Sequence, residues 1–245
     1  MINLLGFKLY AAYDFLHKNW NGFLSLLYPS TCEICSGETT EIAPFICFGC
    51  DNELDYTHYE RSVEHTPCDE LFWGRVPIQQ AYALLFFRTG SSTQKVLHAI
   101  KYKGAKELAV EFGGRLGSRL ANTRYLENVD AIVPIPLHSK KEFSRGYNQS
   151  ELIGRGLADK SGIPVVHLLQ RKRHHASQTK KDRFDRWDNV ADIFMVNHRV
   201  KAHYSHVVLV DDVLTTGATL EAAARTLIEQ YPTIKVSIFT LAIAK

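Results

Sequence analysis

Residues 207–219, VVLVDDVLTTGAT, leave this chain few choices of fold. The leading apolar residues fit a strand buried on both faces, so Asp211 and Asp212 are expected where that strand runs out. Beyond the loop, Leu220, Ala223, Ala224, Leu227, Ile228 and Tyr231 recur at helical spacing, with one face toward a core. The predicted unit is strand, tight loop, helix. Free N–H groups at such a helix start, with the dipole behind them, attract an anion such as phosphate. Thr215, Thr216 and Thr219 add hydroxyls, and Gly217 allows close approach or a backbone conformation closed to other residues. A phosphate cup beside two carboxylates suits a sugar phosphate whose ring hydroxyls donate to the acids. The plainer alternative is a capped turn with exposed acids. The lysine of G-x-x-x-x-G-K-[ST] is missing, and so is a G-x-G-x-x-G turn.

At 245 residues the chain has room for one α/β domain of about 150 to 180 residues and a small appendage. A net charge of +3 does not by itself imply a nucleic-acid partner. Residues 1–28 are rich in Leu, Phe, Tyr and Trp, but Lys8, Asp14, His17 and Lys18 interrupt the run. This reads as an amphipathic helix that packs on the protein or touches a membrane surface, not as a signal peptide or a spanning segment. The cytoplasm is then the default location.

Cys32, Cys35, Cys47 and Cys50 form CEIC and CFGC, eleven residues apart. Two such knuckles make a closed tetrahedral zinc site, which supplies the folding energy that so short a segment lacks; two disulfides are the competing use of the same cysteines. Cys68 reads as a buried free thiol, with a regulatory or metal role as the alternative.

Between these features, 81–87 reads as a strand, and Ser92 or Thr93 as the N-cap of a helix that carries Val96, Leu97 and Ile100 and ends near Gly104. A helix over 106–121 presents Leu108, Ala109, Phe112, Leu116 and Leu120, and Gly113, Gly114 and Gly117 weaken it unless they allow close packing. Residues 130–136 form a second buried strand, and in a parallel sheet its C-terminal loop shares an edge with Asp211. Lys140, Lys141 and Arg145 are the cations that this loop offers an anion. Residues 171–189 carry seven Lys or Arg against three Asp and read as a long loop between strands near 164–167 and 192–196. It suits a lid, a solvated basic surface, or a single-strand nucleic-acid contact using Phe184 and Trp187.

VVLVDDVLTTGAT resembles the phosphoribosyl pyrophosphate (PRPP) motif of type I phosphoribosyltransferases. The resemblance implies ribose hydroxyls on Asp211 and Asp212, and the 5′-phosphate on Thr215, Thr216, Gly217, Ala218 and Thr219. Purine-salvage members carry an aspartate where this chain has Thr215, which argues against that chemistry. A pyrophosphate loop would fall on Pro136, Leu137 and His138, often with a cis peptide, with Lys140, Lys141 and Arg145 as its cations. The lid would include Arg171, Arg173, Gln178, Lys180 and Arg183.

Together with the cysteine knuckles, FWGRVP (72–77), HAIKYKG (98–104), VPIPLHSKK and RGYNQSE extend the resemblance to the ComF family from about Cys32 onward. That family implies a type I phosphoribosyltransferase fold, an open and mainly parallel sheet with flanking helices, at 71–245. A small four-cysteine zinc ribbon would precede it within 1–70. It also implies structural Zn²⁺, Mg²⁺ with PRPP, and transfer of phosphoribosyl to an unnamed acceptor; a PRPP or nucleotide sensor is the alternative. A third reading is a DNA-uptake accessory that binds single-stranded DNA and a helicase. No glutaminase activity is expected, because some thirty residues before the knuckles cannot house that domain. The oligomeric state stays open, and a dimer is compatible with the sequence.

Overall fold

The computed structural model describes residues 31–172, 193–200 and 203–244. The expected N-terminal helix over 1–28 lies outside these residues, as do Arg173, Gln178, Lys180, Arg183, Phe184 and Trp187. Two compact units divide between Glu53 and Leu54. In the first, Thr31 and Glu38 form an antiparallel bridge, and a short helix α1 (Phe48–Asn52) starts at the second cysteine knuckle. Among the described residues, no helix is long and apolar enough to cross a membrane.

The second unit runs α2 (Pro67–Glu70), β1 (Gln80–Phe87), α3 (Ser92–Tyr102), α4 (Lys106–Leu120), β2 (Ala131–Pro134), α5 (Ser139–Arg145) and α6 (Gln149–Ser161). It continues with β3 (Leu169–Arg171), β4 (Phe194–Val196), β5 (His206–Leu214), α7 (Ala218–Gln230) and β6 (Lys235–Ala244). Four strands form a parallel sheet in the order β1-β6-β5-β2, while β3 and β4 make a separate antiparallel ribbon. Both central strands are buried along most of their length, as their near-continuous apolar runs require. An open parallel sheet with flanking helices is the architecture that the resemblance to type I phosphoribosyltransferases implies, and the cysteine cluster before it in sequence fits a zinc ribbon.

Several local expectations shift. The cap of α3 is Ser91, whose hydroxyl accepts from Gln94 N at 3.2 Å; three adjacent hydroxyl residues compete for that role, and the first takes it. The expected strand at 164–167 reduces to a single bridge between Val165 and Ile132. The outer edge of β1 is covered by residues 55–57: Phe86 N donates to Asp55 O (2.8 Å) and Thr57 N to Leu84 O (3.1 Å).

The glycines of α4 do allow close packing. A methyl group at Gly113 would strike Ile153 O on α6; at Gly156 it would strike Val110 O on α4 and lie 2.7 Å from Gly114 N. The obstacles are backbone atoms, which cannot turn away. Gly156→Ala is therefore expected to cost about 3 kcal/mol, the upper end of overpacking, or roughly 6–12 °C in melting temperature by calorimetry. Gly104→Ala, with nothing near the added carbon, meets only the strain of its φ of +76°.

Candidate functional site

β5 carries the acidic pair to the C-terminal edge of the sheet. The ladder with β2 stops at Val210, while the ladder with β6 continues to Leu214. The strand does not run out at the aspartates, as its apolar start implies; it loses one neighbour there. Adjacent side chains on a strand diverge, and the two carboxylates find different partners. Asp211 Oδ1 accepts from Ser150 Oγ at 2.8 Å and from the Asp212 amide at 2.9 Å. Asp212 Oδ1 pairs with Lys101 Nζ at 3.1 Å, and its Oδ2 is buried with no hydrogen-bond partner among the described residues.

Burial, then the Asp212 charge, pushes Asp211 up to about 7 against the pull of Ser150 and Lys101. A raised carboxyl contributes stability that is fully present below its unfolded pKa of about 4 and is lost as pH rises through the folded value. The ligand-free protein is therefore expected to melt higher near pH 5.5 than near pH 8, and Asp211→Asn to reduce that difference in a pH series of thermal melts. Arg171 stands within reach of the same charge: burial lowers its pKa, and Asp211 opposes the shift.

The loop after β5 is built around Gly217, which caps α7 at φ +76°; a side chain there would meet the Phe72 ring at 3.1 Å. A glycine cap has no side chain to spend on the first-turn amides. Ala218 N meets the Thr216 hydroxyl at a long 3.5 Å, and a helix start of this kind favours an anion. Thr215, Thr216 and Thr219 are exposed, and Ala218 is half-buried. Arg75, from FWGRVP, fixes the loop by donating to Thr216 O (2.8 Å) and to Glu221 (2.9 Å). Burial pushes Glu221 up, but Arg225 and Arg75 outweigh it and hold the carboxyl below the usual range.

The loop after β2 contains no cis peptide, since every bond in the described residues is trans; the expectation near Pro136, Leu137 and His138 is corrected. Leu137 and His138 are half-buried, and His138 Nδ1 accepts from Lys140 N at 3.2 Å to start α5. Lys140 and Lys141 stand exposed on that helix. Arg145 is engaged elsewhere, on Gln149 Oε1 (2.8 Å) and over the Tyr102 ring (5.3 Å). Among the described residues the cation paired with Asp212 is Lys101, which the sequence offers only as part of HAIKYKG. Arg171, expected in the lid loop, belongs to β3 and lies over the Phe194 ring at 5.6 Å.

RGYNQSE ties these pieces together. Gly146 ends α5 at φ +74°, and Tyr147 OH donates to Ile100 O on α3. Asn148 Nδ2 donates to Ile135 O (3.0 Å) and its Oδ1 caps α6 through Ser150 N (3.0 Å). Gln149 holds Arg145, Ser150 holds Asp211, and Glu151 pairs with Arg155 (3.1 Å) and His167 (3.4 Å). A cavity of ≈ 540 Å³ beside this run is lined by Lys106, Leu137, Tyr147 and Glu151.

In the N-terminal unit the Sγ atoms of Cys32, Cys35, Cys47 and Cys50 all lie within 4.8 Å of one another, and Cys35 and Cys47 are 3.6 Å apart. Sulfurs placed about 2.3 Å from a tetrahedral zinc ion are about 3.8 Å apart, so the cluster fits such an ion. Gly37 N approaches Cys35 Sγ at 3.4 Å and Cys50 N approaches Cys47 Sγ at 3.5 Å, amides that favour thiolates. Burial and the neighbouring sulfurs push Cys50 up, so four thiolates this close need a cation among them. Cys68 is fully buried in the other unit, its thiol pushed up to about 12 by burial and the Asp69 charge.

Comparison with known proteins gives a phosphoribosyl transferase domain over residues 148–245. The chain is 29% identical to Competence protein ComFC of Bacillus subtilis (strain 168), over 89% of this chain and 87% of that protein. It is 28% identical to Competence protein F of Haemophilus influenzae, over 93% of each chain. It is also 26% identical to DNA utilization protein YhgH of Escherichia coli (strain K12), over 84% of this chain and 87% of the relative.

Proposed function

We propose, from the premise that this chain is a ComF-family protein carrying a phosphoribosyltransferase domain, that it binds PRPP and transfers phosphoribosyl to an acceptor with release of pyrophosphate. One observation carries the reading: along 211–219 a largely buried acidic pair is followed directly by an uncapped helix N-terminus. Ribose hydroxyls would donate to Asp211 and Asp212, and the 5′-phosphate would take the first-turn amides of α7 with the hydroxyls of Thr215, Thr216 and Thr219. Pyrophosphate would face the loop at Pro136, Leu137 and His138 and the cations Lys140 and Lys141. Two carboxylates, one with an unpartnered oxygen, suit a ligand that arrives with Mg²⁺, which when bound spreads the charge of the leaving pyrophosphate. The protein's own part is to orient the sugar and to place cations where negative charge develops as the C1–O bond breaks.

A second reading follows from the exposed face of α5 and the end of α3. Phe143 is 93% exposed and Tyr102 67%, with Lys140 and Lys141 beside Phe143 in sequence. Aromatic rings among cations bind single-stranded nucleic acid by stacking and phosphate attraction, in keeping with relatives named for competence and DNA utilization. Such an accessory role, with a helicase partner, is compatible with PRPP binding.

Calorimetry of the zinc-loaded protein with Mg²⁺ and PRPP tests the first reading. Saturable binding is expected, followed by pyrophosphate release with a suitable acceptor; binding without release from any acceptor class would make the site a sensor, and no binding by folded protein would sink the reading. Fluorescence anisotropy with an oligonucleotide, across a salt series and with Lys140→Ala/Lys141→Ala, tests the second.

A further inference from the structure

We infer that Lys101 is a positioning residue for the acidic pair: its ammonium anchors Asp212 by one oxygen, so that the other is held as the acceptor for a ligand hydroxyl. The inference rests on the ribose-phosphate reading of the site and deepens it by assigning a residue that acts through Asp212.

The Cβ–Cγ torsion of an aspartate is broad and roughly two-fold, so an anchor on one oxygen decides where the second points. Lys101 supplies that anchor at 3.1 Å, with side-chain exposures of 21% for the lysine and 5% for the aspartate. The remaining oxygen, Oδ2, is buried and without a partner among the described residues, an acceptor that the fold leaves unused. Buried polar atoms are nearly always satisfied, so an orphan at a candidate site points to a missing donor.

The anchor is itself braced. Lys101 lies in the last turn of α3, and the carbonyl of the preceding residue, Ile100, accepts from Tyr147 OH. Tyr147 adjoins Asn148, the cap of α6, and Ser150 of that helix donates to Asp211. One helix start thus places the partners of both carboxylates.

The charge balance gives Lys101 a second task. Two adjacent carboxylates in a closed site tend to share a proton, and a cation beside them opposes that tendency. Among the described residues, the groups facing the pair are Ser150 from α6, Lys101 from α3 and Arg171 from β3, the last acting on Asp211. Lys101 is the ammonium in direct contact with Asp212. Lysine's compact head meets one oxygen as a point charge, whereas the arginine fork tends to take both.

The first test uses the ligand-free protein. Side-chain carboxyl signals of Asp211 and Asp212 are followed by ¹³C NMR against pH in wild type, Lys101→Met and Lys101→Arg, with thermal melts to establish folding. Lys101→Met is expected to raise the pH at which Asp211 loses its proton, and Lys101→Arg to restore most of the difference. A folded Lys101→Met that titrates like wild type overturns the inference, and so does a Lys101→Arg that behaves like Lys101→Met.

The second test is calorimetry with ribose 5-phosphate and, separately, with pyrophosphate, both with Mg²⁺. Lys101→Met is expected to weaken ribose 5-phosphate about ten-fold or more, while pyrophosphate stays within about two-fold, one ligand-facing hydrogen bond being worth roughly that much. The reverse pattern makes Lys101 an anion contact and overturns the assignment. If wild type binds neither probe, the ribose-phosphate reading fails and the hydroxyl-acceptor role fails with it; the titration separately decides whether Lys101 governs the pair.

Discussion

Asp211→Asn/Asp212→Asn is expected to weaken PRPP by at least about a hundred-fold in calorimetry with Mg²⁺. Each carboxylate would accept a charge-assisted hydrogen bond worth about 1.5–3 kcal/mol, and 1.4 kcal/mol is ten-fold. Asparagine preserves shape, so the fold should hold, and relief from a buried charge at Asp211 favours it further. The loop after β5 is held by Gly217 and Arg75, not by the acids, so if it takes the phosphate, inorganic phosphate should bind both proteins alike. A double variant that keeps full PRPP affinity would move the ribose away from β5.

Removal of metal is expected to unfold residues 31–53 while the parallel sheet survives. Among its described residues the first unit holds a five-residue helix, one bridge and few fully buried apolar side chains, so the order of that segment is expected to depend on an ion. Structural zinc in small modules contributes about 10–16 kcal/mol near neutral pH. Metal analysis should find one zinc per chain. After chelation, limited proteolysis should cut within 31–53 and leave a resistant fragment that begins near Leu54. A chelated protein that resists cleavage throughout would mean that the cysteine cluster is not what holds this unit together.

What was legible beforehand follows from how local each signal is. VVLVDDVLTTGAT announces strand, loop and helix because the three are contiguous, and the two cysteine pairs declare themselves by spacing. Lys101 could not be read in the same way: its role depends on α3 lying against the far end of β5, more than a hundred residues later. Ser150 and Arg171 are similar, each being an ordinary polar residue until the sheet order sets it beside Asp211. The helix α5 gave no signal because none of its residues is buried, so no apolar period marks it. The glycines of α4 looked like a weakness, because what they admit is the backbone of another helix.

That backbone contact limits how the molecule can respond to a ligand. Where two helices touch through glycines, no layer of side chains can repack, so α4 and α6 slide or tilt only at the cost of losing the contact altogether. Ser150 rides on α6, and the direction of the Asp211 carboxylate is therefore set as rigidly as the helix pair itself.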